Sequence, residues 1–190
     1  MIQKYSLAIQ PCEPILSTVK EMKQRLRLAM GGYYGSANSV AHISLFEFKI
    51  ADERYSVVSA HYKKLVAGLA PFDITFDGFG HFQHAAHFTF YVKLNEDAAQ
   101  TIINYCKQIK SVLPYSHINK FNLPHMTIGR RLTKEGLDLA YSLFTEFNFT
   151  YCCEAFVIRK FNSKKRQYDI EEIIPLLNRG LIADAQMALF

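Results

Sequence analysis

Two short stretches of this chain set a histidine and a hydroxyl residue two positions apart: His42-Ile43-Ser44-Leu45 and, 83 residues later, His125-Met126-Thr127-Ile128. In an extended strand, residues i and i+2 project from the same face. Each stretch therefore puts an imidazole beside a hydroxyl on one face and anchors itself with two apolar side chains on the other. Two such pairs brought opposite each other suit a phosphate, with hydroxyls to hold its oxygens and imidazoles to move protons near neutral pH. With seven histidines in the chain a chance match is expected, and a third does occur, His87-Phe88-Thr89-Phe90. The elements around each stretch have to tell them apart.

Apolar periodicity predicts those elements. A first strand spans residues 4–10. Pro14 opens a helix whose Ile15, Leu16, Val19, Met22 and Leu26 share one face. A glycine-rich loop at 31–38 follows and is placed to flank a pocket. The strand 39–50 carries the first box, a helix covers 52–69, and a strand at 72–77 ends in a predicted turn at 78–80. Its hairpin partner is 88–94. Asn95 caps the next helix, an irregular connection runs over 114–124, and the second box lies in a strand at 124–132. A helix at 133–147 and a hairpin of 156–161 with 167–173 complete the order, with a short helix predicted at 180–190. Both halves read strand, helix, box strand, helix, hairpin. This is a duplicated α+β unit that sets the two boxes at equivalent positions facing one cleft. His87 has no preceding helix and no trailing basic residue, so a core or cleft-wall role is expected of it.

Composition narrows the class. A chain of 190 residues with 49% hydrophobic content builds a sizeable core as one bilobal domain, with lobes of about 1–87 and 88–176 and a tail at 177–190. No apolar run approaches the ~18 residues of a membrane span. Four cysteines without zinc-like spacing fit reduced thiols in a cytoplasmic protein, and adjacent Cys152 and Cys153 would point to opposite faces of a strand. The net charge of +5 is a mild bias toward polyanions, with basic clusters at Arg130-Arg131-Lys134 and Lys164-Lys165-Arg166. His81, His84 and His87 are not expected to converge on a metal, since a turn separates them and no Cys or carboxylate completes the set.

With the boxes on strands in this order, the chain resembles the two-histidine (2H) phosphoesterase superfamily, and within it the 2′-5′ RNA ligase-like group of RNA cyclic phosphodiesterases. Tyr5-Ser6-Leu7-Ala8-Ile9 is similar to the family's opening strand and His42-Ile43-Ser44-Leu45-Phe46 to its first box. Pro124-His125-Met126-Thr127-Ile128-Gly129-Arg130 is similar to the second box with its trailing arginine. The resemblance implies two facing antiparallel sheets around a central groove, with helices packed outside. It implies a monomeric phosphoric diester hydrolase that needs neither metal nor cofactor. Its partners would be RNA ends or cyclic nucleotides, with 2′,3′-cyclic phosphates opened to 2′-phosphates and 2′-5′ linkages a related possibility. His42 and His125 would be the catalytic pair, with a first assignment of His42 as acid and His125 as base, and Ser44 and Thr127 would bind phosphate. By alternation Arg130 falls on the face opposite His125 and reaches phosphate only if the strand bends near Gly129. Otherwise Arg131, on the box's own face, is the better candidate to bind phosphate. Tyr33, Tyr34, Phe46, Tyr115 and Tyr168 are candidates to stack a base. The alternative reading is an RNA- or nucleotide-binding module with the same groove and no turnover.

Overall fold

The computed structural model describes residues 1–112 and 123–180. Among the described residues, eight antiparallel strands form one curled sheet in the order β6-β3-β4-β5-β2-β1-β7-β8. They are β1 (Ile2–Ile9), β2 (Ile43–Ala51), β3 (Phe72–Gln83), β4 (Phe88–Leu94), β5 (His125–Leu132), β6 (Thr150–Cys153), β7 (Ala155–Asn162) and β8 (Gln167–Pro175). The order is symmetric about its centre. β5-β4-β3-β6 leads outward one way and β2-β1-β7-β8 the other. β3 thus joins the half that carries the second box and the closing hairpin β7-β8 joins the half that carries the first, which crosses the boundary between the two units read from the sequence.

Four α-helices among the described residues cover one face. α1 (Ile15–Ala29) buries Ile15, Val19, Met22 and Leu26, the stripe predicted from their spacing, and packs on α4 (Lys134–Leu143) and β5. α2 (Tyr55–Gly68) lies against β8 and α3, and α3 (Glu96–Val112) against β3 and β2. The Asn95 side chain accepts a hydrogen bond from the Ala98 amide at 3.1 Å, and Thr133 caps α4 by accepting from the Gly136 amide at 3.2 Å. None of the described helices is long and apolar enough to cross a membrane.

Two expectations need correction. The glycines at 78–80 do not reverse the chain. β3 runs through them, with Gly78 at φ 66° and a register slip against β4 between Phe76 and Phe79, so this glycine makes a bulge. The reversal falls at 84–87, where the His84 amide donates to the His87 carbonyl at 2.8 Å. The fourth helix ends at Leu143 rather than near 147. Phe144 and Phe147, which share a helical face in sequence, are instead buried from outside the helix, where they pack on Phe79 and Phe76. That segment leads into β6, a four-residue edge strand too short to carry a pattern. In β6 Cys152 is exposed and Cys153 buried, the alternation expected of a strand. The helix predicted over 180–190 and most of the connection at 114–124 lie outside the described residues.

Candidate active site

The two halves of the sheet meet at a single register pair, Ile43 of β2 opposite Met126 of β5. These are the middle residues of the two boxes. Continuing the antiparallel register one residue each way sets His42 across from Thr127 and Ser44 across from His125. Cross-strand neighbours lie about 5 Å apart at Cβ, and i,i+2 neighbours along a strand about 7 Å apart. The boxes therefore make a rectangle with imidazoles on one diagonal and hydroxyls on the other. Ile43 and Met126 are fully buried on the reverse side, which holds the rectangle rigidly against the core. All four polar side chains line one groove of about 1120 Å³.

The two imidazoles are oriented alike. His42 Nδ1 lies 2.7 Å from the Val40 carbonyl oxygen and His125 Nδ1 lies 2.8 Å from the Leu123 carbonyl oxygen. A carbonyl only accepts, so Nδ1 carries the proton in both rings and the neutral form presents its lone pair at Nε2. Burial pushes the His42 imidazole down to about 3, aided by the Arg159 guanidinium and opposed by the bond to Val40. Burial also lowers His125, with Arg130 adding to the effect and the bond to Leu123 opposing it. Phe82 and Tyr91 pack on the His125 ring at centroid distances of 4.9 and 5.0 Å.

Both arginines that follow the second box line the groove. Simple alternation would have turned Arg130 away. The β4–β5 register, however, passes from Tyr91 opposite Thr127 to Phe90 opposite Gly129, which leaves Ile128 as an extra residue and restores Arg130 to the face of Thr127. A second slip leaves Arg131 unpaired, with φ at 57°. The first box carries the same device. Ala8 pairs with Ser44 and Leu7 with Phe46, so Leu45 is the extra residue and Glu47 returns to the groove. Glu47 thus occupies the position equivalent to Arg130. It is the one carboxylate among the described residues that line the groove, and Lys4 at 2.7 Å and the Tyr168 hydroxyl bind it. Lys4, Arg130, Arg131, Arg159, Lys165 and Arg166 face it with six positive charges.

Arg159 carries no feature in the sequence that marks it as functional. It sits on β7 among apolar residues and is 5% exposed. Its Nη2 donates to Ser6 Oγ at 3.3 Å, its guanidinium lies 5.2 Å over the Tyr168 ring, and its Nε has no hydrogen-bond partner. Burial lowers it to about 10, which leaves it charged at neutral pH. A buried cation is costly even with Tyr168 and Glu47 favouring it, and an anion entering the groove offsets that cost further.

The loop at 31–39 forms one rim. The Arg130 amide donates to the Gly35 carbonyl at 2.8 Å, Ser36 Oγ donates to the Ile128 carbonyl at 3.1 Å, and the Gln167 side chain donates to the Asn38 carbonyl at 2.9 Å. From beneath, Lys23 Nζ donates to the Ser39 carbonyl and hydroxyl at 2.7 and 2.9 Å. This lysine is 3% exposed, and burial, with Arg130 nearby, lowers its ammonium to about 8. A Cβ on Gly35 would stand 2.7 Å from the Arg130 carbonyl oxygen. Gly35→Ala is therefore expected to lift the rim off β5, lowering stability by about 1–3 kcal/mol and raising KM severalfold. Thermal melts and initial rates check this, and an unchanged melting temperature would contradict it.

Of the aromatic candidates, Tyr33 and Tyr168 line the groove, whereas Tyr34 and Phe46 are buried in the core and Tyr115 lies outside the described residues. Phe82 and Phe161 were not anticipated and also line it. His81 turns away to Tyr141, with Nδ1 3.0 Å from the hydroxyl, so the three histidines at 81, 84 and 87 do not converge. His84, His87 and Thr89 do reach the groove, on its wall beyond the boxes.

Comparison with known proteins places the fold. A family model described as the 2′-5′ RNA ligase superfamily matches residues 13–162. No curated protein sequence matches the chain. Among solved structures, TT0787 of Thermus thermophilus aligns with a TM-score of 0.65 at 18% identity, over 93% of this chain and 98% of that one. LigT of E. coli complexed with 3′-AMP aligns with a TM-score of 0.62 at 17% identity, over 93% and 99%. Usb1 of Kluyveromyces marxianus gives 0.51 at 14% identity, over 92% and 98%. These likenesses are of fold.

Proposed function

Because this chain belongs to the 2′-5′ RNA ligase superfamily, a superfamily of phosphodiesterase-type enzymes, we propose that its groove hydrolyses 2′,3′-cyclic phosphates of RNA ends or small nucleotides to 2′-phosphates. The observation that carries this reading is the Ile43–Met126 joint. It sets two imidazoles on opposite corners of one small polar rectangle, the arrangement an in-line displacement requires. The superfamily relative bound to 3′-AMP supports a nucleotide as occupant.

In this reading one Nε2 takes a proton from water as its oxygen attacks phosphorus. The other gives its proton to O3′ as the P–O3′ bond breaks, leaving the phosphate on O2′. Ser44, Thr127 and Arg130 hold the non-bridging oxygens, where charge is stabilised in the transition state, Arg131 adds its charge from the groove wall, and Arg159 adds a shielded positive charge. The reactive state holds one proton between two imidazoles. His42, pushed down by burial to about 3 with Arg159 and Lys23 adding to it, is the less ready to carry it. This favours His42 as base and His125 as acid, the reverse of the first assignment. No step draws on a metal or cofactor.

A pH dependence follows with a definite sign. Both imidazoles titrate below their ordinary value in the free groove, so the singly protonated enzyme becomes scarce as pH rises through neutrality. kcat/KM, which reports the free enzyme, is expected to peak on the acid side of about 6.5. The bound phosphate anion raises the imidazoles again, so kcat peaks at higher pH. Coincident optima above pH 7 would contradict this. Product analysis tests the reaction itself. Cytidine 2′,3′-cyclic phosphate should yield the 2′-phosphate, and release of the 3′-phosphate would overturn the proposed direction.

A further inference from the structure

The third box, His87-Phe88-Thr89, is not used by this chemistry, yet it lies in the same groove. Phe88 turns to the helix side, where it meets His81 at 5.9 Å between ring centroids, so His87 and Thr89 share the groove face. The turn between β3 and β4 folds His84 back onto them. Its Nε2 lies 3.1 Å from Thr89 Oγ1, and its ring stacks on that of His87 at 4.7 Å and 25°. Thr89 is 6% exposed, paired across β4–β5 with Arg130 and across β3–β4 with Phe82. Arg130 therefore stands between the second box and the third.

Strand geometry gives the spacing. Tyr91 is the residue opposite Thr127. Thr89 lies two residues further along β4 and His87 four, about 7 and 13 Å at the rise of a strand. That is the scale of one nucleotide step and the next. Donors at this distance from the boxes, with an arginine between, match the phosphodiester that precedes a terminal cyclic phosphate. Phe82, between His125 and Thr89, offers a ring for the intervening base.

We infer that His84, His87 and Thr89 form a second phosphate subsite, so that the substrate is a single-stranded RNA 3′ end of at least two nucleotides rather than a mononucleotide. This rests on the proposed phosphodiester chemistry of the boxes and narrows its substrate class. It ties the hairpin turn, which has no part in proton transfer, to binding alone.

The test compares cytidine 2′,3′-cyclic phosphate with a dinucleotide ending in the same group, on the wild type and on His84→Ala/His87→Ala. The wild type should favour the dinucleotide in kcat/KM by about tenfold or more, the usual worth of a hydrogen bond to a charged group. The double variant should lose that advantage while turning over the mononucleotide at the wild-type rate, which also shows that it folds. Affinity for a dinucleotide and a mononucleotide bearing 3′-phosphates is measured alongside by calorimetry. Equal use of both substrates by the wild type, or an undiminished preference in the variant, overturns the subsite and leaves the hydrolysis standing. If neither cyclic substrate is turned over, but the wild type binds the dinucleotide more tightly and the variant does not, the subsite stands and the hydrolysis reading fails. Binding of neither overturns the subsite.

Discussion

His125→Ala lowers turnover of a 2′,3′-cyclic phosphate by ~10²–10⁴, and His42→Ala does the same, the range expected when a general acid or base is removed. Neither change should unfold the protein, because the bond each ring makes through Nδ1 goes to a carbonyl two residues before it in the chain and holds no other element in place. The losses should not multiply in the double variant, since one proton relay fails whichever end is cut. The two ends separate by leaving group. A substrate with sulfur in place of O3′ leaves without a proton, so it should restore most of the rate to the variant lacking the acid and none to the variant lacking the base. The lower-lying His42 predicts rescue of His125→Ala. Rescue of His42→Ala instead would exchange the roles. Rescue of neither would remove acid catalysis from the account.

The second large effect concerns the arginines. Arg130→Ala should reduce kcat/KM by ~10²–10³, the magnitude found when a preorganised donor to developing charge is lost. Arg131→Ala should cost no more than about tenfold, as befits a groove cation that supplies field rather than a positioned contact. The distinction comes from the bulge at Ile128, which returns Arg130 to the face of Thr127, whereas Arg131 follows at an unpaired position beyond it. A larger loss at Arg131 than at Arg130 would mean that the bulge does not aim the side chain at phosphate. Arg130→Lys keeps the charge but gives up the planar fork, so it should recover only part of the rate.

The boxes were legible because i,i+2 spacing survives any strand, and the strand at 88–94 and the hairpin after 155 follow from alternation. The bulges were not, although each left a trace. Leu45-Phe46 and Ile128-Gly129 put two non-polar residues where alternation calls for one, and that doubling marks the slip on which Glu47 and Arg130 depend. Gly78 misled in the opposite sense, since a glycine at positive φ serves a bulge as well as a turn. Phe144 and Phe147 kept helical spacing without the helix, because burial against Phe76 and Phe79 is all that spacing encodes. Arg159 was invisible. Only the pairing of β7 with β1 brings it beneath the groove, and that pairing joins residues some 150 apart in the chain.

The central claim is that two imidazoles joined through Ile43 and Met126 open a cyclic phosphate by proton transfer alone. The most direct test is release of 2′-phosphate from a 2′,3′-cyclic nucleotide in excess EDTA, by the wild type and by His42→Ala/His125→Ala. The account predicts sustained release by the wild type and loss to background in the double variant. Equal rates from both proteins, or wild-type turnover that stops in EDTA and returns with a divalent cation, would contradict it.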